Sequence, residues 1–219
     1  MKFLWTLFIL NIVKAGPSLC PDKCECDVKG KIYDCTNSDL EGIPIFLHPE
    51  MRVLKIRNNK ISKLEDAVNI YTKLEILDLS QNKFRHLGKF RFSECEELQN
   101  LNLSNNFIAN IKGPEAFEGP KAMQTLDLSK NTLNTLENDS FLPLATLVEL
   151  RLSHNKLNTI QSGAFSGLSS LRVLHLDHNL VSEINPLWFE PLENLRFLYL
   201  SSNLLRTLSP NTFRPLKVR

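Results

Sequence analysis

From Met51 onward one pattern, L-x-x-L-x-L-x-x-N-x-L-x-x-L with Met, Ile, Val or Phe at some leucine positions, returns seven times at intervals of 23 to 25 residues. A unit this short cannot bury its apolar positions alone. A chain built from such units must stack each copy on its neighbours and grow as a solenoid. The copies run 51–73, 74–97, 98–122, 123–146, 147–170, 171–194 and 195–218. Each keeps its asparagine: Asn59, Asn82, Asn106, Asn131, Asn155, Asn179 and Asn203.

Segments such as Leu77-Asp78-Leu79, Leu101-Asn102-Leu103 and Leu126-Asp127-Leu128 alternate apolar and polar residues, which predicts one short strand per copy. The leucines then face the interior, and the residues between them line a parallel sheet on the concave side. Seven such strands give a sheet roughly 30 Å wide. The asparagine falls where the chain leaves the strand, so its amide can satisfy backbone groups of its own loop and of the neighbouring one. The result is a buried structural ladder.

Phe92, Phe117, Phe141, Phe165, Phe189 and Phe213, followed three residues later by Cys95, Pro120, Leu144, Leu168, Leu192 and Leu216, predict a second spine that fills the convex half of the core. The first copy is one residue short, with Ile70 near the Phe position, and the third is one residue long. Local bulges are expected at both. The fold class is an α/β repeat solenoid, with a concave parallel β-sheet and a mostly irregular convex side.

Lys2 precedes a largely apolar run, Phe3 to Val13, that ends in Val13-Lys14-Ala15. This reads as a signal peptide, 1–15, because the run is far short of the ~20 residues a membrane helix needs. The expected location is extracellular. Cleavage removes Lys2 and Lys14 from the 26 basic residues and leaves 24 against 24 acidic, a balance that gives no reason to expect nucleic acid as a partner. Cys20, Cys24, Cys26 and Cys35 cluster just after it. In a secreted chain they read as disulfides, with three connectivities open. Cys95 is left over, and its register, where other copies carry leucine, makes it a small buried apolar residue.

The repeats over 51–218 resemble the extracellular "typical" class of leucine-rich repeats, as found in Slit proteins, Toll-like receptors, small proteoglycans and adhesion receptors. Cys20-Pro-Asp-Lys-Cys24-Glu-Cys26, Tyr33-Asp34-Cys35 and Leu40-Glu41-Gly42-Ile43-Pro44 are similar to that family's N-terminal cysteine cap, placed here at residues 16–50. The resemblance implies a horseshoe with a disulfide N-cap and pairs Cys20 with Cys26 and Cys24 with Cys35. It also implies a protein or glycan ligand, and it includes a C-terminal cysteine cap that this chain lacks.

The central concave column reads Lys55, Asp78, Asn102, Asp127, Arg151, His175, Tyr199. Arg151, Arg172, His175, Arg196, Phe197 and Tyr199 gather the residue types that dominate binding hot spots, so the ligand is expected on the C-terminal half of this face. Arg52, Lys55 and Arg57 form a smaller basic patch, offset by Glu50, Glu75 and Asp78. The strongest catalytic grouping is Glu149, His154, His175, Asp177 and His178, but an open sheet excludes no water, and no enzyme activity is expected. No metal or cofactor is expected either; His154 and His178, roughly 5 Å apart on adjacent strands, would make at most a weak metal site.

Asn102-Leu-Ser104 and Asn138-Asp-Ser140 are the glycan acceptor triplets. The leading functional expectation is an extracellular binding module, part of a receptor ectodomain or a soluble recognition protein. The alternative is a matrix or adhesion spacer that docks through its convex loops. The last repeat ends beside the chain terminus with Leu198, Leu200, Leu205, Leu208, Phe213 and Leu216 uncapped. Continuation into further repeats and perhaps a membrane anchor, or truncation, is therefore expected, with pairing to a partner as the alternative.

Overall fold

The computed structural model describes residues 20–216, so the expected signal peptide over residues 1–15 lies outside the described residues. Eleven short strands organise the described residues: β1 Glu25–Asp27, β2 Ile32–Asp34, β3 Val53–Lys55, β4 Ile76–Asp78, β5 Asn100–Asn102, β6 Thr125–Asp127, β7 Thr135–Leu136, β8 Glu149–Arg151, β9 Thr159–Ile160, β10 Val173–His175 and β11 Phe197–Tyr199. Nine of them form one sheet in the order β1-β2-β3-β4-β5-β6-β8-β10-β11, and β7 pairs with β9 in a second. Every pairing is parallel except β1 with β2. Among the described residues, no helix is long and apolar enough to cross a membrane.

The large sheet is wider than the seven strands expected from the repeats, because the cysteine cap contributes two more. Tyr33 pairs in register with Leu54, and both Tyr33 and Cys35 are fully buried in leucine-like positions. The cap therefore supplies a strand of its own at the head of the solenoid. Disulfides Cys20–Cys26 and Cys24–Cys35 close it. They restrict the unfolded chain where the solenoid has no preceding repeat to pack on.

Each ladder asparagine spans two copies. Asn131 Nδ2 donates to Leu128 O at 3.0 Å and to Ser129 O at 3.2 Å in its own loop, and to Leu103 O at 3.0 Å in the preceding one. Its Oδ1 accepts from Ile108 N at 3.0 Å. The same arrangement repeats at Asn82, Asn106, Asn155, Asn179 and Asn203. Asn59 makes it with the cap, accepting from Ser38 N and Leu40 N.

On the convex side Phe92, Phe117, Phe141, Phe165 and Phe189 are buried, with Phe117–Phe141 and Phe141–Phe165 stacked at 5.8 and 6.5 Å between centroids. Phe213, in the last turn, is 40% exposed. Trp188 enters edge-on to both Phe165 and Phe189, and its indole N–H donates to Ile160 O at 3.1 Å. Cys95 is buried and free, and its thiol points toward Val68 O.

The short first copy departs from the expectation for Ile70, which is 40% exposed. Val68 occupies the Phe position instead, on the 3-10 helix Asp66–Ile70, and Tyr71 fills the following leucine position. The Tyr71 hydroxyl donates to Pro44 O at 2.5 Å and accepts from Leu47 N, which ties this copy to the cap. The extra residue of the third copy is absorbed near Gly113, at φ 69°, before the 3-10 helix Pro114–Ala116. Both irregularities stay on the convex side, because the strands remain in register across them. The backbone there approaches closely enough that a Cβ on Gly119 would collide with the Phe92 carbonyl.

Candidate ligand-binding surface

Parallel pairing without slips puts equivalent residues of successive copies side by side, so the central column is read directly from the register: Lys55, Asp78, Asn102, Asp127, Arg151, His175, Tyr199. Asp34 of the cap extends it by one. The N-terminal basic patch is internally paired: Arg52 meets Glu75 at 2.5 Å, Lys55 meets Asp34 at 3.4 Å, and Arg57 Nε donates to Gln81 at 3.2 Å. The middle of the face is a shallow depression over β4 to β8 with Asp78, Asn102, Asp127 and Glu149 among its walls.

The C-terminal end differs in kind. The His175 ring stacks on Tyr199 at 4.5 Å between centroids, with planes 5° apart. His175 Nε2 lies 3.0 Å from Glu149 Oε1, and the same oxygen accepts from Arg151 Nε at 2.8 Å. Arg151 also approaches Asp127 at 4.0 Å. Desolvation by burial pushes the Glu149 carboxyl up, but the hydrogen bond and charge of Arg151, with those of His175, outweigh it and hold the carboxyl below its ordinary range. Arg151 is shifted upward, chiefly by its hydrogen bond to Glu149. The cluster thus holds a fixed charge pair under an aromatic ledge.

Beside that ledge Phe197 is 56% exposed and Tyr199 46%. Phe197 pairs with Val173, an apolar couple at the end of a column that carries Asn100, Thr125 and Glu149 at mid-sheet, yet the larger ring stands in water. Arg172 and Arg196 are exposed at the start of the same two copies and form no ion pair among the described residues. All six residues read from the sequence as ligand contacts therefore lie on three adjacent copies. Glu149 belongs with them structurally, as the group that fixes both Arg151 and His175. Of the catalytic grouping, Glu149 and His175 meet here, whereas His154, Asp177 and His178 gather in the loops beyond β8 and β10.

The glycan triplets occupy unlike surroundings. Asn102 is half-buried at mid-sheet, its Oδ1 accepting from Ser104 N at 3.0 Å, and Ser104 is buried. Asn138 is exposed off the sheet, with its Oδ1 accepting from Gly163 N at 2.8 Å.

A stacked run of short parallel strands with a buried asparagine ladder and a disulfide-closed first turn defines a repeat scaffold rather than an enclosed-pocket protein. The "Leucine rich repeat" family model matches residues 49–108, 96–157, 145–205 and 169–218, and the chain belongs to that family. Human leucine-rich repeat-containing protein 66 is 38% identical over 88 residues, which cover 40% of this chain and 10% of that protein. Human leucine-rich repeat-containing protein 3B is 29% identical over 144 residues, 64% of this chain and 46% of the relative. Human oligodendrocyte-myelin glycoprotein is 29% identical over 155 residues, 67% of this chain and 34% of the relative. The chain spans under half the length of each of these relatives. A crystal structure of a TLR13-ssRNA13 complex superposes with a TM-score of 0.59 and 29% identity over 75% of this chain and 26% of that one.

Proposed function

We propose that this chain is an extracellular binding module that holds a protein ligand on the C-terminal half of its concave sheet. The observation that carries the reading is the exposure of Phe197 and Tyr199 side by side on β11, flanked by Arg172 and Arg196, both exposed, and backed by the Glu149–Arg151–His175 cluster. Large aromatic rings bring much contact area with few rotatable bonds, arginine adds a planar fork of donors, and these are the residue types on which binding energy concentrates. The disulfide-closed cap fits an oxidising, extracellular setting. A glycan on Asn138 would leave this surface clear, whereas one on Asn102 would stand in the middle of the sheet and confine ligands to the C-terminal copies.

The test is capture from an extracellular protein library by residues 16–219 produced in an oxidising host, alongside a Phe197→Ala/Tyr199→Ala variant of matched thermal stability. Binders lost by the variant support the concave site. Binders retained by it, and blocked instead by substitutions on the convex loops, favour a spacer that docks through its outer surface.

A further inference from the structure

We propose a divalent transition-metal site of the zinc type formed by His154, Asp177 and His178, at the edge of the concave sheet just past the Glu149–His175 cluster. One potential ligand atom from each residue lies within 4.8 Å of those from the other two. The two imidazoles are stacked at 4.2 Å between centroids, with planes 8° apart. Zinc bonded to nitrogen at ~2.0–2.1 Å and to carboxylate oxygen at ~2.0–2.2 Å holds its ligand atoms about 3.3–3.6 Å from one another in a tetrahedron. The stacked rings point their lone pairs in parallel, so binding requires both imidazoles to rotate out of the stack toward a shared point, and both histidines are exposed and free to turn.

The repeat accounts for part of this arrangement and leaves the rest unexplained. His154 and His178 occupy the turn position just before the ladder asparagine, where φ is 56° and 54°; Asn58, Gln81, Asn105, Lys130 and Ser202 adopt the same left-handed conformation in the other copies. Histidine tolerates that region better than most residues, and a common backbone conformation on adjacent turns aims both rings the same way. Backbone tolerance does not explain Asp177. The corresponding residue is serine in the copies on either side, Ser153 and Ser201, so a carboxylate enters this column beside the paired histidines. Ser153 Oγ donates to Asp177 Oδ1 at 2.6 Å, which orients the carboxylate from outside the ligand set as supporting groups around metal sites do.

The supporting backbone is rigid. His154 N donates to Asp177 O at 3.0 Å and His178 N to Ser201 O at 2.9 Å, while Asn155 and Asn179 are held in the buried ladder. Two imidazoles and one carboxylate are a nitrogen and oxygen donor set that zinc, a borderline-soft ion, accepts, and they leave a fourth position open to solvent. A donor group from a bound partner can take that position, since the site adjoins the surface assigned above to ligand binding. The metal proposal itself does not depend on that assignment.

The experiment is calorimetric titration of chelator-treated residues 16–219 with zinc chloride alone, run beside His154→Gln, His178→Gln, Asp177→Ser and, as a control, His86→Gln. The expected result is one equivalent bound at micromolar affinity, weakened at least tenfold by either histidine change and measurably by the aspartate change, with His86→Gln unaffected. Thermal unfolding in chelator should be the same for all variants, because the substituted groups are not part of the core. No saturable binding by the parent chain, or binding in His154→Gln and His178→Gln as tight as in the parent chain, would overturn the site.

Discussion

His175 lies flat against Tyr199 while its Nε2 meets Glu149, so one side chain joins the acidic middle of the concave face to the aromatic ledge at its end. Tyr199 is 46% exposed, and its ring is held by stacking rather than by the core. Tyr199→Ala should therefore leave the thermal midpoint nearly unchanged and weaken a concave ligand by about 1 kcal/mol or more. Arg172→Ala should do the same. Surface plasmon resonance on a captured ligand reads both, and unchanged affinity in the pair would move the contact elsewhere.

Asn131→Asp separates the ladder's donors from its acceptor. The carboxylate can still accept from Ile108 N, but the three donations to Leu103, Leu128 and Ser129 carbonyls are lost and a charge is buried. Asn131→Ala loses both halves and should cost about 1–3 kcal/mol. The aspartate variant should be at least as destabilised despite its nearly identical shape. Denaturant unfolding of the two variants decides it.

Cys95 is the free thiol, fully buried, and burial pushes its pKa up to about 12. The thiolate is the reactive form, so the native protein should resist iodoacetamide at neutral pH and take up one equivalent when unfolded. Rapid labelling of the folded chain, followed by mass spectrometry, would show that this turn opens far more readily than its packing implies.

Glu149 gives a pH dependence with a definite sign. Its carboxyl is held below the ordinary range in the folded state, so the stabilisation is complete above the unfolded value and is lost as pH falls through the folded one. Partial exposure and screening limit the effect to about 1 kcal/mol or less. The stability difference between the parent chain and Glu149→Gln should be measurable at pH 7 and should be lost as the folded-state carboxyl becomes protonated below the ordinary carboxylate range. A difference that persists at acid pH would mean the side chain acts through packing rather than charge.

The repeat register made most of this geometry legible. Leucine and asparagine positions dictate strand and loop, and the period of two orders the concave columns, so Arg151, His175 and Tyr199 could be set side by side from spacing alone. Three features escaped that logic. Tyr33 and Cys35 lie outside the repeat pattern, and they join the sheet because the disulfide-closed cap offers the same alternation over Tyr33-Asp34-Cys35. Val68 replaces Ile70 in the core because the missing residue of the first copy falls before the 3-10 helix and shifts the inward-facing position. The Glu149–His175 contact joins different concave columns and depends on side-chain reach, which strand alternation does not specify.

The ladder has a direction. Each asparagine takes a partner from the copy made before it, and Asn59 takes its own from the cap, so a chain leaving the ribosome can lock every new turn onto a finished surface. At about 5–20 residues per second a turn emerges every few seconds, far slower than a short loop closes. The order of synthesis then becomes the order of assembly. The disulfide-closed hairpin serves as the template on which the rest is wound.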